Sequence, residues 1–190
     1  MGQEEETIVV FTADHGEMLG DHGLVFKGTT YEQVTRMPLL VSPTGALRDA
    51  PRVVDELASA VDVPATILDL AGLARPAGMQ GASLRALGAG EADGAGAAGG
   101  PAGGGSRAHR DALLIENQGV RRSVRTKDYL FTWHGPGLRG ELYDLHADPG
   151  CFRNLWDDPS SRELKANAHD ALLDLMARNL DPSHQQTGAC

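Results

Sequence analysis

An acidic residue and a histidine follow directly after a short apolar run near the start of the chain. Residues 8–11 read Ile-Val-Val-Phe, and Asp14 and His15 come three and four residues later. A carboxylate oxygen suits hard cations such as Ca²⁺, Mg²⁺ and Mn²⁺, and a neutral imidazole suits Mn²⁺ or Zn²⁺. Lys27 follows twelve residues after His15 and can hold an anion beside a metal. The pattern indicates hydrolysis of an anionic ester.

Two apolar runs predict the elements that position these residues. Residues 8–11 and 37–41 are continuous apolar segments, which is typical of strands covered on both faces, as in a parallel α/β sheet. The connection between them is rich in glycine, which favours a loop with short helical turns. Ligands of open α/β sheets bind outside the carboxyl ends of strands. We therefore expect Asp14 and His15 at one edge of a sheet.

The middle of the chain predicts one helix and one flexible excursion. Asp62 is suited to cap a helix over residues 62–72, with a proline in its first turn and Gly72 at its end. Residues 88–106 are rich in glycine and alanine and cannot build a core, so we expect a flexible surface excursion. This excursion separates two regions that we expect to pack together.

The last part of the chain predicts a small antiparallel sheet and a helix. Turn residues separate four short strand-like segments, at 112–116, 120–126, 129–134 and 141–145. Ser160 or Ser161 caps a final helix that runs to about residue 179. The predicted organisation is an α/β region at 1–87, the excursion at 88–106, a sheet-and-helix subdomain at 107–180 and a frayed tail at 181–190.

Composition excludes several classes of protein. The 190 residues carry a formal net charge of −9, without the basic stretches of a nucleic-acid-binding protein. No apolar stretch approaches the length of a membrane span, and the acidic start of the chain does not fit a secretory signal. Localisation stays open, with the cytoplasm favoured. The spacing of Cys151 and Cys190 predicts two free thiols.

The segment 7–41 closely resembles the sulfatase family of the alkaline-phosphatase superfamily. The shared pattern is a strand, Asp-His-Gly-Glu, a downstream lysine, Tyr-Glu and Arg-x-Pro-Leu. Further family landmarks occur in order at 62–72, 81–84, 124–129 and 141–155. The resemblance implies an α/β fold: the C-terminal part of an alkaline-phosphatase-like α/β sheet domain, followed by a small antiparallel β-sheet plus helix subdomain.

The resemblance also implies roles for individual residues. Asp14 and His15 match the family's ligands of a divalent metal, usually Ca²⁺ in sulfatases, with Mn²⁺ or Mg²⁺ as alternatives. Lys27 matches the lysine that contacts the sulfate oxygens and takes part in catalysis, and His22 is a second catalytic candidate that can line the pocket. The implied substrate is a sulfate ester of a small molecule or glycan. Three further residues match the pattern: Tyr31, Glu17 and Glu32. We expect structural roles for the two glutamates.

The nucleophile motif of the family has no counterpart in this sequence. Sulfatases convert the cysteine or serine of Cys/Ser-x-Pro-x-Arg to formylglycine, whereas Cys151-Phe-Arg153 lacks the proline and Ser42-Pro43 has the wrong order. The family's N-terminal Asp-Asp ligands are also unmatched. The chain therefore resembles the C-terminal portion of a sulfatase, with a missing N-terminal half as a partner. Alone, we expect it to be inactive, marginally stable and prone to associate through an uncovered sheet.

Two other functions are compatible with these residues. A phosphonate or phosphate ester hydrolase of the same superfamily would use the same Asp-His pair and lysine. A non-catalytic truncated remnant or binding module would need no nucleophile.

Overall fold

The fold is described by a computed structural model that covers residues 2–3, 6–42, 53–89, 109–117, 119 and 121–179. The tail at 181–190, with Cys190, and most of the predicted excursion lie outside the described residues. The first two residues of that predicted excursion, 88 and 89, belong to a short helix, Arg85–Ala89.

Six strands and four α-helices make up the described chain. The strands are β1 (Val10–Thr12), β2 (Leu39–Val41), β3 (Leu113–Glu116), β4 (Arg122–Arg125), β5 (Tyr129–Trp133) and β6 (Glu141–Asp144). The helices are α1 (Glu32–Thr35), α2 (Asp62–Leu70), α3 (Arg85–Ala89) and α4 (Arg162–Arg178). Two 3₁₀ turns, Asp21–Gly23 and Pro159–Ser161, complete the list.

The first two strands differ from the sequence-based expectation in direction and in burial. β1 and β2 pair antiparallel with each other, with Phe11 opposite Leu40, and neither pairs with another described strand. Phe11 is 61% exposed and Leu40 59%. An apolar run predicts a strand but not its direction, because direction depends on which strand lies beside it. The expectation of two covered faces was therefore wrong for the chain by itself.

The predicted antiparallel sheet is confirmed, and it forms the main core with the last helix. Strands β3 to β6 lie in sequence order, each antiparallel to its neighbour. α4 packs on this sheet, and the buried core consists of Val124, Phe131, Leu142, Ala168 and Leu172. This part was predictable from sequence. The apolar face of each strand shows as alternation and the apolar face of the helix as a stripe, and both patterns can be read within a short segment.

The predicted helix 62–72 is confirmed as α2, but the role expected for Asp62 was wrong. Helix α2 begins at Asp62, and Gly72 follows it with a left-handed φ of 69° that glycine adopts without a steric cost. The residue in the cap position is Val61. Asp62 is fully buried and makes tertiary contacts with the sequence-distant Arg110.

The last helix begins as predicted, with Ser161 in its cap position, and the 3₁₀ turn Pro159–Ser161 leads into it. Asp158 accepts hydrogen bonds from the backbone N–H of Ser160 at 2.9 Å and from its hydroxyl at 2.6 Å. Ser161 occupies the position before α4 and forms no side-chain cap bond. Asp158 caps the 3₁₀ turn rather than α4 itself, because its carboxylate accepts from an N–H in the first turn of that segment.

Cys151 is a buried free thiol, as predicted. Burial raises its pKa to about 12. The thiolate is the reactive form of cysteine, so this thiol is inert at neutral pH. Among the described residues, no helix combines the length and the apolar character needed to cross a membrane.

Candidate active-site residues

The start of the loop after β1 is held against α1 by a close approach of two backbones. The N–H of Gly16 donates to the carbonyl of Val34 at 2.8 Å. A Cβ at Gly16 would overlap the carbonyl oxygen of Gln33. Only glycine fits here, and the contact fixes the position of the two residues that precede it, Asp14 and His15.

Asp14 and His15 lie side by side at the surface, two residues beyond the end of β1. The backbone N–H of His15 donates to Asp14 Oδ1 at 2.9 Å. The second carboxylate oxygen lies 3.4 Å from His15 Nε2, so both side chains face the same region. Asp14 is 86% exposed, which leaves its oxygens accessible to a cation.

The backbone sets the tautomer of His15. Its Nδ1 lies 2.8 Å from the carbonyl oxygen of Gly16. A carbonyl can only accept, so Nδ1 carries the proton in the neutral ring and Nε2 carries the lone pair. A hydrogen bond of this kind on the far nitrogen is how proteins orient a metal-binding imidazole. The geometry therefore leaves the lone pair on Nε2, the nitrogen that contacts Lys27 in this structure and that would bind a metal in place of that contact.

Lys27 completes this group. Its ammonium nitrogen Nζ contacts His15 Nε2 directly, and the side chain is otherwise exposed. The structure thus brings together three residues predicted from sequence: Asp14, His15 and Lys27. Lys27 lies on the return of a tight loop, where the N–H of Met18 donates to the carbonyl of Phe26 at 3.1 Å.

His22 is placed in an aromatic stack. Its ring lies between Tyr31 and Phe152, with ring centroids 4.4 and 4.6 Å away and nearly parallel planes. Its Nε2 is buried and forms no hydrogen bond within the described part of the chain. The backbone of His22 has a φ of 54°, an uncommon left-handed value that this stack must hold. The sequence did not indicate Phe152, which is 130 positions further along the chain.

Tyr31 and Glu32 connect the site loop to the C-terminal sheet. The Tyr31 hydroxyl lies 3.3 Å from that of Tyr143 and donates to Glu141 Oε1 at 3.4 Å. Burial raises the pKa of Tyr31, so it stays a neutral donor. Glu32 accepts from Arg125 at 2.5 Å, which is the structural role expected for it. Glu17 is half-buried beside the loop.

A second group of charged residues lies outside this site and was missed from sequence. The carboxylate of buried Asp62 accepts from Arg110 Nε at 2.9 Å and lies 3.3 Å from His109 Nε2. It also accepts from the backbone N–H groups of Ser59 at 2.9 Å and Ala82 at 2.8 Å. The only local signal was the aspartate at a helix start, which by itself indicates a cap.

These hydrogen bonds change the ionisation of Asp62. Burial by itself raises the pKa of a carboxyl, but the bonds from Arg110, His109 and the two backbone N–H groups outweigh it. The pKa of Asp62 consequently lies well below its usual range. The hydrogen bond to Asp62 likewise raises the pKa of Arg110. The pair is a structural ion pair that joins α2 to the residues just before β3.

The described residues supply only part of a metal site. Asp14 offers carboxylate oxygens and His15 an imidazole nitrogen, whereas within the described ranges no three side chains of His, Cys, Asp or Glu converge on one point. A hard cation takes six or more oxygen ligands. The chemistry of the two donors fits a divalent cation, but the remaining ligands must come from elsewhere.

Comparison with known proteins gives the family of the chain. The family model described as Sulfatase matches residues 1–73. The chain is 34% identical to an uncharacterized sulfatase of Escherichia coli over 190 residues, which is 95% of this chain and 34% of that protein. It is also 34% identical to the Delta 4,5-hexuronate-2-O-sulfatase of Bacteroides thetaiotaomicron, over 88% of this chain and 34% of that protein.

Solved structures share the fold. The crystal structure of a phosphonate monoester hydrolase of Agrobacterium radiobacter superposes with a TM-score of 0.77 and 26% identity. The match covers 100% of this chain and 38% of that one. The chain thus spans about a third of the length of the curated relatives it matches.

The matching family model, the relatives and the shared fold agree with the motifs from Asp14 onward. The chain belongs to the sulfatases of the alkaline-phosphatase superfamily.

Proposed function

We propose that this chain is the C-terminal portion of a sulfuric ester hydrolase, in which Asp14 and His15 bind a divalent cation and Lys27 contacts the sulfate group. The observation that carries the proposal is the juxtaposition of Lys27 Nζ with His15 Nε2, beside the exposed carboxylate of Asp14. A divalent cation and an ammonium group side by side form a site for a negatively charged sulfate ester.

The roles proposed for the cation and for Lys27 follow from the charge that develops during the reaction. In the cleavage of a sulfate ester, negative charge develops on the leaving oxygen and is shared by the other sulfate oxygens. A divalent cation, when bound, acts as a Lewis acid toward these oxygens. The Lys27 ammonium group is positioned by the loop in advance and donates to another oxygen, which stabilises the same charge without reorganisation.

Sulfatases generally use a divalent metal. We propose Ca²⁺ for this chain, with Mn²⁺ or Mg²⁺ as alternatives, because a carboxylate oxygen is a hard ligand. The imidazole of His15 is compatible with Mn²⁺ as well. Two protein ligands alone predict weak affinity for any of these cations.

For His22 we propose a role in shaping the pocket rather than in proton transfer. The ring is stacked on both faces, and its Nε2 is buried. A proton-transferring imidazole needs a nitrogen within hydrogen-bond reach of the reacting group. The stacking of His22 instead favours a role in holding the loop between His15 and Lys27 in place.

We propose that a further polypeptide segment supplies the nucleophile and the remaining metal ligands, and that this chain alone is inactive. The chain spans about a third of its relatives, and the described residues bear an uncovered apolar face on β1 and β2. Its exposed side chains are Val9, Phe11 and Leu40. This apolar face lies on the strand that leads to Asp14. We propose that the rest of a catalytic sheet covers it in the complete enzyme.

Sequencing the genomic DNA upstream of the Met1 codon tests this partner. We expect an in-frame extension, or an adjacent reading frame, that encodes Cys/Ser-x-Pro-x-Arg together with Asp-Asp. A flanking sequence without this motif would contradict the proposal and would favour a non-catalytic remnant or binding module.

A phosphonate or phosphate ester is the alternative substrate class. The superposition on a phosphonate monoester hydrolase favours it, since the shared part includes the region of Asp14, His15 and Lys27. Both ester classes present negatively charged non-bridging oxygens to the same cation and ammonium group. Relative turnover of an aryl sulfate and an aryl phosphonate by the complete enzyme distinguishes them.

Divalent metal should stabilise the isolated chain through Asp14. At ten times its dissociation constant a ligand contributes about 1.4 kcal/mol, so saturating Ca²⁺ should raise the midpoint of thermal unfolding by about 3–6 °C. Asp14→Ala should abolish this increase. The matched control is Asp128→Ala, because Asp128 also forms an exposed Asp–His pair, 2.8 Å from His146 Nε2. An increase that survives in Asp14→Ala would remove the support for this metal site.

A further inference from the structure

The segment that follows Lys27 is bound along its whole length by the C-terminal sheet and the turns beside it. Arg121 Nη1 donates to the carbonyl of Gly28 at 2.7 Å, and Asn117 Nδ2 donates to the carbonyl of Thr29 at 2.9 Å. The next three residues, Thr30, Tyr31 and Glu32, contact Thr132, Tyr143 and Arg125 respectively. Five consecutive residues therefore each have a partner in the C-terminal region.

The centre of this contact is a buried chain of three hydroxyl groups. Ser123 Oγ donates to Thr132 Oγ1 at 2.8 Å, and Thr132 Oγ1 lies 3.0 Å from Thr30 Oγ1. The three residues are 0%, 1% and 4% exposed. Since Thr132 accepts from Ser123, its own hydrogen is free to point at Thr30. Buried hydroxyls that satisfy one another fix a single geometry, because an unpaired one would be costly.

Lys27 is the residue at the end of this bound segment. Its side chain is exposed and, among the described residues, is oriented only by its contact with His15, so the backbone largely determines where the ammonium group lies. We infer that Thr132, through Thr30, is a positioning residue for Lys27, and that the C-terminal sheet holds the anion-binding lysine in place. This inference rests on the function proposed above, since position matters only if Lys27 binds the anion.

The test compares Thr132→Val with Thr132→Ser in the full chain. Valine keeps the volume but removes the hydroxyl, whereas serine keeps the hydroxyl. The matched control is Thr66→Val, because Thr66 is also buried and its hydroxyl also makes two hydrogen bonds, to the carbonyl of Asp62 at 2.7 Å and from the N–H of Leu84 at 2.9 Å. That residue lies on α2, and both of its hydrogen-bond partners lie outside the Lys27 segment.

Two readouts separate positioning from general stability. The first is hydrogen exchange of the backbone amides of residues 27–32, corrected for the global free energy of unfolding. The second is the change in the NMR signals of the Lys27 side chain on titration with sulfate. Thr132→Val should raise the corrected exchange rates about tenfold and weaken the sulfate response severalfold. Thr132→Ser and Thr66→Val should leave both close to those of the unchanged chain.

The inference is overturned if the exchange rates at residues 27–32 are equal in Thr132→Val and Thr66→Val. It is also overturned if Thr132→Ser behaves like Thr132→Val. If Thr132→Val does not fold, Thr30→Val makes the same comparison, because it removes the other hydroxyl of the same contact. A wild-type Lys27 that does not respond to sulfate contradicts the proposed anion contact. The exchange data still decide the inference in that case.

Discussion

Replacing Asp62 by alanine should lower the free energy of unfolding by about 3–5 kcal/mol, because it leaves the charge of Arg110 partly buried without its partner. The Asp62 carboxylate is fully buried and also accepts hydrogen bonds from His109 and from two backbone N–H groups. All of these donors lose their acceptor in the variant. Urea denaturation at pH 7 measures the loss.

The control for this prediction is Asp157→Ala. Asp157 pairs with Arg139 at 2.6 Å, but the two side chains are 67% and 57% exposed. Exposed pairs of this kind contribute about 0–1 kcal/mol. If the two aspartate variants were destabilised equally, Asp62 would not be the buried centre that the structure indicates.

Asp62 should also determine part of the acid sensitivity of the fold. Its pKa is lowered in the folded state, so ionised Asp62 contributes stability that is fully present above the unfolded pKa of about 3.9. That stability is lost as the pH falls through the folded pKa. The loss should therefore lie below about pH 4, and Asp62→Asn should show a flatter dependence of stability on pH in that range.

Gly16→Ala should have the second-largest effect, and it should act on the site as well as on stability. The added Cβ would overlap the carbonyl oxygen of Gln33, so the loop must move away from α1. Overpacking of this kind costs about 1–3 kcal/mol, and the hydrogen bond from Gly16 N–H to Val34 would be lengthened or lost. Asp14 and His15 would be displaced with it, so stabilisation by Ca²⁺ should disappear.

Gly28→Ala is the matched control, because a Cβ at Gly28 meets open space and its φ is not in the left-handed region. We expect this variant to change stability by less than about 0.5 kcal/mol and to retain the response to Ca²⁺. Thermal unfolding of both variants, with and without Ca²⁺, makes the comparison. A Gly16→Ala chain as stable and as metal-responsive as Gly28→Ala would mean that the close approach to α1 does not hold the site.

The sequence by itself determined the local elements and the residues with chemical potential. The apolar run before Asp14 predicted a strand, the alternation after residue 110 predicted the four C-terminal strands, and the stripe after Asp158 predicted α4. These predictions succeeded because periodicity reflects contacts that each element makes along one face. The grouping of Asp14, His15 and Lys27 was also predictable, since twelve residues of loop suffice to return the chain to its starting point.

Only the tertiary structure decided how these pieces are held. The direction of β2 against β1, the enclosure of Asp62 by Arg110, the stack of His22 on Phe152 and the hydroxyl chain from Thr30 to Ser123 all join residues that lie far apart in sequence. Each partner taken separately has an ordinary local interpretation, as a cap, a turn or a surface residue. Burial and exclusion of water turn these contacts into strong ones, and burial is a property of the packed chain rather than of any short segment.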